Sequence, residues 1–266
     1  MESTRAHEAA VADAFDRHAA AFERAPIQND PRLLTGLVDA MSLPPGSLVL
    51  DAGCGPGLVA HAILTHPGGH RVIGVDLSGE MIRRARTRCA PFGDRVELVH
   101  GPLADVAAAV HRGDRPPVDA AVTRLVLHHV PDTRAFVAAI AASVRPGGTV
   151  VLADHITDPD PALADWHRRV ETIRDRSHVA NPTPGELLDL AAGAGLADLR
   201  YRQVTVATDF DEWFARGTHA GTREDCLEVL LSPHGRGSRA WRATPSEDGR
   251  IRITGEIGIV RGVVPA

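Results

Sequence analysis

Lysine is absent: all 29 basic residues of this 266-residue chain are arginines. The 34 acids outnumber them and the net charge is −5, so no basic field favours nucleic acid or an anionic membrane. Cysteine is scarce. Cys54, Cys89 and Cys226 form no C-x-x-C pair, which excludes a disulfide framework and suits a reducing cytoplasm. No apolar run is long enough to cross a membrane, and residues 1–8 carry no signal-peptide stretch. There is no internal repeat and no clear second domain. These absences predict a cytoplasmic protein whose partners include neither nucleic acid nor membrane; they leave both a monomer and a homodimer open.

What is present is a large apolar fraction, 44% of residues, enough to bury the core of one α/β domain with a lid or insertions. Alanine, arginine and proline are abundant, as in GC-rich bacterial coding sequence. Residues 6–25 read as a helix with Val11, Phe15, Ala19 and Phe22 on one face, and 31–41 as a second. Strands are predicted near 47–51, 71–76, 95–99, 118–123 and 148–153, alternating with helices near 57–65, 78–89, 103–111 and 132–144. That alternation argues for a parallel sheet covered on both faces. Helices near 161–176, from 182–186 to Gly193 or Gly195, and near 222–231 follow, with late strands at 198–207 and 250–261 forming an antiparallel edge. Residues 232–249, rich in Ser, Pro, Gly and Arg, read as a flexible surface loop.

The most informative run is Val49-Leu50-Asp51-Ala52-Gly53-Cys54-Gly55-Pro56-Gly57, a strand entering an acid and three alternate glycines before a helix. Such a turn lets the backbone approach a ligand at the strand's carboxyl end. A dinucleotide fingerprint needs its third glycine at position 58, which is Leu58. Asp51 at the mouth disfavours a pyrophosphate and suits a cationic head. Asp76 ends the second strand about 20 residues on, where an acid accepts hydrogen bonds from ribose hydroxyls and repels a 2′-phosphate. Asp76 can also cap the following helix, a role compatible with ribose binding. The ligand expected is an unphosphorylated nucleoside with a non-phosphate tail.

With Val72-Ile73-Gly74-Val75-Asp76-Leu77-Ser78 and Met81, Val118-Asp119-Ala120-Ala121-Val122, Leu125, Leu127-His128-His129-Val130 and Val144-Arg145-Pro146-Gly147-Gly148-Thr149-Val150, this loop resembles the class I S-adenosylmethionine-dependent methyltransferases. The likeness covers roughly residues 10–200 and is closest to the small-molecule branch of quinone-biosynthesis and type 11 enzymes. It implies a Rossmann-like, seven-stranded, mostly parallel sheet in the order 3-2-1-4-5-7-6 with the last strand antiparallel, helices on both faces and a helical cap. It implies a lid over 1–40 and a cofactor domain over 41–266 with a cap insertion near 156–185. S-adenosylmethionine is the implied cofactor. Asp51, Gly53, Gly55 and Gly57 would meet its methionine part, with Thr123 and Arg124 facing that part. Asp76 would hold the ribose, and Leu77 and Met81 would flank the adenine. The position that usually carries an acid for the adenine amino group is Pro102 here, which leaves a backbone contact from Leu103; Asp105 comes too late.

Methyl transfer needs alignment, desolvation and sometimes a base. His128 and His129, after the fourth strand, are the candidate bases, His128 ahead of His129, with a structural role as the alternative. Phe15, Phe22, Glu171, Arg174 and His178 are candidates for the substrate wall. On the helix at 161–176, Trp166, Val170 and Ile173 read as core, and the charged face could equally be solvated. Asp154, His155, Asp165 and His167 have no tight metal-ligand spacing and read as solvated. Nothing marks Cys54 as a nucleophile. The expected activity is O-, N- or C-methylation of a small organic acceptor, with bacterial secondary metabolism as one setting. A cyclase or other enzyme that retains the cofactor's methyl, and a non-catalytic cofactor-binding scaffold, are the alternatives.

Overall fold

The computed structural model describes residues 2–246 and 249–266. Its elements, in chain order, are α1 (Glu2–Arg24), α2 (Pro31–Met41), β1 (Leu48–Ala52), α3 (Leu58–Thr65), β2 (Arg71–Asp76), α4 (Gly79–Cys89), β3 (Val96–His100), α5 (Leu103–His111) and β4 (Val118–Arg124). They continue with α6 (Thr133–Ala142), β5 (Val144–His155), α7 (Pro161–Arg174), α8 (Pro184–Gly193), β6 (Ala197–Asp209), α9 (Phe210–Phe214), α10 (Arg223–Leu230), β7 (Trp241–Pro245) and β8 (Ile251–Val263).

Among the described residues the strands form one sheet in the order β3-β2-β1-β4-β5-β8-β6, with β7 beside β8. The β1–β2, β2–β3, β1–β4 and β4–β5 pairs are parallel. β8 is antiparallel to β5, β6 and β7. The expected order holds once β8 is read as the seventh strand. The correction lies in residues 232–249, which are not wholly a surface loop. Trp241–Pro245 pairs with Ile251–Gly255, and the Trp241 side chain is buried.

Alternate residues explain the two layers. Leu50, Ala52, Ile73 and Val75 pack on α5, α6 and α8 through Val106, Ile140 and Leu187. Val49, Val72, Ala120 and Val122 point the other way, onto α2 and α3 through Leu37, Met41 and Ile63. A strand apolar on both faces can lie only between two helical layers. α2 therefore belongs to the core; within the segment read as a lid, α1 is the part that covers the cavity. A third cluster joins Trp166 and Val170 of α7 to Phe210, Trp213, Trp241 and Ile253.

The order in which strands are added across the sheet reverses between the parallel neighbours β1 and β4, so their carboxyl ends open a crevice at the switch point. Asp51 sits there, in register with Val122 and Gly74.

Candidate active site

A cavity of about 420 Å³ opens at that crevice. The glycine turn forms its floor. Gly53, Gly55 and Gly57 have φ of 74°, 52° and 80°, a left-handed backbone that glycine adopts without strain. Each glycine has a different reason. A Cβ on Gly53 would lie 2.4 Å from Val126, and one on Gly57 would lie 3.1 Å from the Ala85 backbone. A Cβ on Gly55 would meet nothing within 4 Å; that position faces open space. Asp76 locks the turn: its Oδ2 accepts from Gly55 N at 2.8 Å and its Oδ1 from Ser78 N at 2.9 Å. Each oxygen keeps a lone pair for a further donor. Burial pushes the Asp76 carboxyl up, against those two backbone bonds.

Asp51 is the anomaly of the floor. It is 1% exposed, and its Oδ2 has no hydrogen-bond partner among the described residues. Burial raises its pKa from 3.8 to about 7, against the pull of Arg124. Arg124 donates to the carbonyl and side-chain oxygens of Gln28, and burial lowers its pKa to about 10. A buried carboxylate oxygen without a donor asks for a cation.

The α1 helix roofs the cavity and is tied down at three places. His7 Nε2 lies 2.9 Å from the His129 carbonyl. Asp16 Oδ1 accepts from Ser78 Oγ at 2.5 Å and from Glu80 N at 3.0 Å, reinforcing the amino end of α4. Glu23 bridges Arg84 at 2.6 Å and Arg88 at 2.9 Å. Phe15 lies edge-on to the His129 ring, 4.9 Å between centroids, and Phe22 packs beside it at 5.1 Å.

His128 lies on the far side, in a short turn after β4. Its Nδ1–H donates to Asp154 Oδ1 at 2.5 Å, and its backbone N–H donates to Asp154 Oδ2 at 3.2 Å. Asp154, at the end of β5, is fully buried. Burial opposes a charged His128, but the Asp154 charge and hydrogen bond win and raise its pKa. The carboxylate fixes the Nδ1–H tautomer, which leaves Nε2 as the basic atom on a ring that lines the cavity. His129 is different. Its Nδ1 meets Ser177 Oγ at 3.0 Å, and burial with the adjacent His128 charge lowers its pKa to about 3. Its carbonyl and ring meet His7 and Phe15 of α1.

Beyond His128 the wall is polar and aromatic. Glu171 and Arg174 line it, 3.2 Å apart. Burial pushes Glu171 up, yet His167 and Arg174 hold it well below its ordinary value. Arg174 also donates to the Trp213 carbonyl at 2.9 Å and stacks 4.7 Å from its ring. Trp213, Arg216, Trp241 and His155 complete the wall.

Residues 49–148 match the family model described as a methyltransferase domain. That stretch is similar to a methyltransferase domain, and the chain has the Rossmann-like methyltransferase fold. It is 28% identical over 184 residues to the uncharacterised methyltransferase YcgJ of Bacillus subtilis, covering 69% of this chain and 70% of that one. It is 38% identical over 105 residues to the ubiquinone biosynthesis O-methyltransferase of Aromatoleum aromaticum, covering 40% and 42% of the two chains. The solved structure of YcgJ superposes with a TM-score of 0.74 at 24% identity, over 88% of this chain and 99% of that one.

The residues expected to meet a cofactor converge. Asp51, Gly53, Gly55, Asp76, Leu77, Met81, Leu103 and Arg124 all border the one cavity. Gly57 packs on α4, and Thr123 is fully buried with an unpartnered Oγ1, behind the cavity surface. Phe15, Phe22, Glu171 and Arg174 line it, whereas His178 stands behind His128, 5.6 Å between ring centroids. Burial lowers the His178 pKa to about 4. Asp154, His155 and His167 are not solvated: Asp154 and His167 are buried and His155 lines the cavity. Asp165 alone of that group is exposed, in an ion pair with Arg168. Cys54 is buried, and burial pushes its thiol well above the ordinary value. The sequence reading missed Asp16, Glu23, Trp213, Arg216 and Trp241. The one available signal concerned Asp154, an acid ending an apolar strand beside the switch point.

Proposed function

We propose that the chain transfers a methyl group from S-adenosylmethionine to a proton-bearing oxygen or nitrogen of a small organic acceptor, with His128 as general base. The observation that carries the reading is the His128–Asp154 pair in the cavity that also holds the partnerless Asp51 oxygen, Gly55 and Asp76. The donor set fits the cofactor. Asp76 would take the ribose hydroxyls, Leu77 and Met81 the adenine faces, the Leu103 backbone the adenine edge, and Asp51 with the glycine turn the aminoacyl end. Bound there, S-adenosylmethionine supplies an electrophilic methyl on a sulfonium.

This chain's residues do the rest. α1 and its two phenylalanines exclude water. His128 Nε2 would take the proton from the acceptor's oxygen or nitrogen, and Asp154 would hold the resulting imidazolium. The likeness to an enzyme named as a ubiquinone biosynthesis O-methyltransferase supports a small acceptor.

The test is turnover with isotopically labelled methyl. One S-adenosylhomocysteine should form per methyl recovered in product, and product without it would overturn the transferase. Asp154→Asn should slow the step about 10²-fold or more, the usual worth of a positioned base. It should also move the acid limb of the pH–rate profile downward, because the charge that raises the His128 pKa is gone. An unchanged rate and profile would remove His128 from the chemistry.

A further inference from the structure

The far wall of the cavity contains a cation that no group among the described residues pairs. Arg216, just after α9, is 6% exposed and lines the cavity. Its backbone N–H reaches the Trp213 carbonyl at 3.4 Å, but its guanidinium makes no hydrogen bond or ion pair with any described residue. Neighbouring Arg174 is already engaged: Nε with the Trp213 carbonyl, Nη1 with Glu171, and its plane with the Trp213 ring. Glu171 is thus already matched by Arg174, with His167 at 3.7 Å on its other oxygen. Glu212 is the other acid whose field reaches Arg216, and it forms no pair with it. Burial lowers the Arg216 pKa to about 10, so the side chain is a cation at neutral pH.

A buried guanidinium with its donors unused is costly, and the cost is removed when an oxyanion sits against the fork. The fork presents parallel N–H groups that match carboxylate and phosphate oxygens. We propose that Arg216 is the anion-binding residue of the acceptor pocket. The acceptor then carries a carboxylate or a phosphate on the fork and lays its apolar body against Trp213, Trp241 and Ile253, which line the same cavity. The inference rests on the methyl-transfer reading for the word acceptor; the anion site itself stands on Arg216.

Trp213 and Trp241 supply the signal. With S-adenosylhomocysteine present, tryptophan fluorescence is titrated with benzoate, phenyl phosphate and the neutral isostere benzamide. At least one anion should bind ten times or more tighter than benzamide, and which one does so separates a carboxylate from a phosphate acceptor. Arg216→Gln should abolish the preference while leaving S-adenosylhomocysteine affinity within twofold. If R216Q folds poorly, R216K carries the test, with weakened anion binding and unchanged benzamide binding. Equal affinity for anion and benzamide, no saturable anion binding, or full preference in R216Q would each overturn the site. Wild type that prefers the anion yet binds no S-adenosylhomocysteine would overturn the cofactor reading and leave the anion site standing.

Discussion

Asp51 shows how one buried carboxylate ties stability to ligand. Its pKa rises from 3.8 to about 7 on folding, chiefly through burial. Between those values the folded state keeps a proton that the unfolded state has lost, so stability falls as pH rises through the window and the loss is complete above about 7. The full penalty is on the order of 4 kcal/mol. Asp51→Asn should therefore raise the stability of the unliganded protein above pH 7 by about 2 kcal/mol, with no gain at pH 4. Denaturant titrations at the two pH values check this; equal differences at both would show that Asp51 is already ionised. A cationic ligand head reverses the logic by drawing the carboxylate back to its charged form. Calorimetry near pH 6.5 in buffers of different ionisation enthalpy should detect protons released on S-adenosylhomocysteine binding, and none from the Asp51→Asn protein. The acid itself was legible in the sequence, because a strand ending in Asp before alternate glycines has few other uses. Its missing partner was not, because that depends on where Arg124 goes, and Arg124 turns to Gln28.

The α1 helix illustrates what periodicity does and does not reveal. Its apolar face was visible, with Phe15 and Phe22 at helical spacing. Its docking was not, because Asp16 and Glu23 are ordinary surface acids until α4 comes against them. Ser78 already caps α4 by accepting from Met81 N at 3.0 Å, and Asp16 extends that cap from another element. Glu23 is held below its ordinary pKa, burial opposing and Arg84 and Arg88 prevailing, so this tether weakens only as pH falls through that depressed value. Glu23→Gln should loosen the lid without disturbing the core. Partly buried pairs of this kind are worth about 0.5–1 kcal/mol. S-adenosylhomocysteine should then leave two- to fivefold faster in stopped-flow measurements, at unchanged association rate. Unchanged dissociation would mean that α1 stays closed through Phe15 and Phe22 alone.

Strand β8 binds the molecule into one unit. Its first half, Ile251–Gly255, pairs with β7 and carries Ile253 into the aromatic cluster of the cap. Its second half, Ile257–Val263, pairs with β5 and carries Ile257 and Ile259 into the main core. The alternating strands and helices up to β5 were legible because each buried strand is a near-continuous apolar run between turn signals. Residues 232–249 were not, since turn-forming residues outnumber apolar ones and Trp241 is the lone large anchor. What orders that segment is long-range. Asp158 accepts from Ser238 Oγ at 2.5 Å, Arg239 N at 3.1 Å and Ala240 N at 3.3 Å, 80 or more residues away in sequence. Asp158→Ala would leave a buried hydroxyl and two backbone amides without their acceptor, costing about 2–3 kcal/mol. For a chain of this size that lowers the melting temperature by roughly 4–12 °C. Because β8 runs through both clusters, calorimetry should still show a single transition in the variant. A separate low-temperature transition would mean instead that the cap melts on its own, and that the wall carrying Trp213, Arg216 and Trp241 is assembled independently of the sheet.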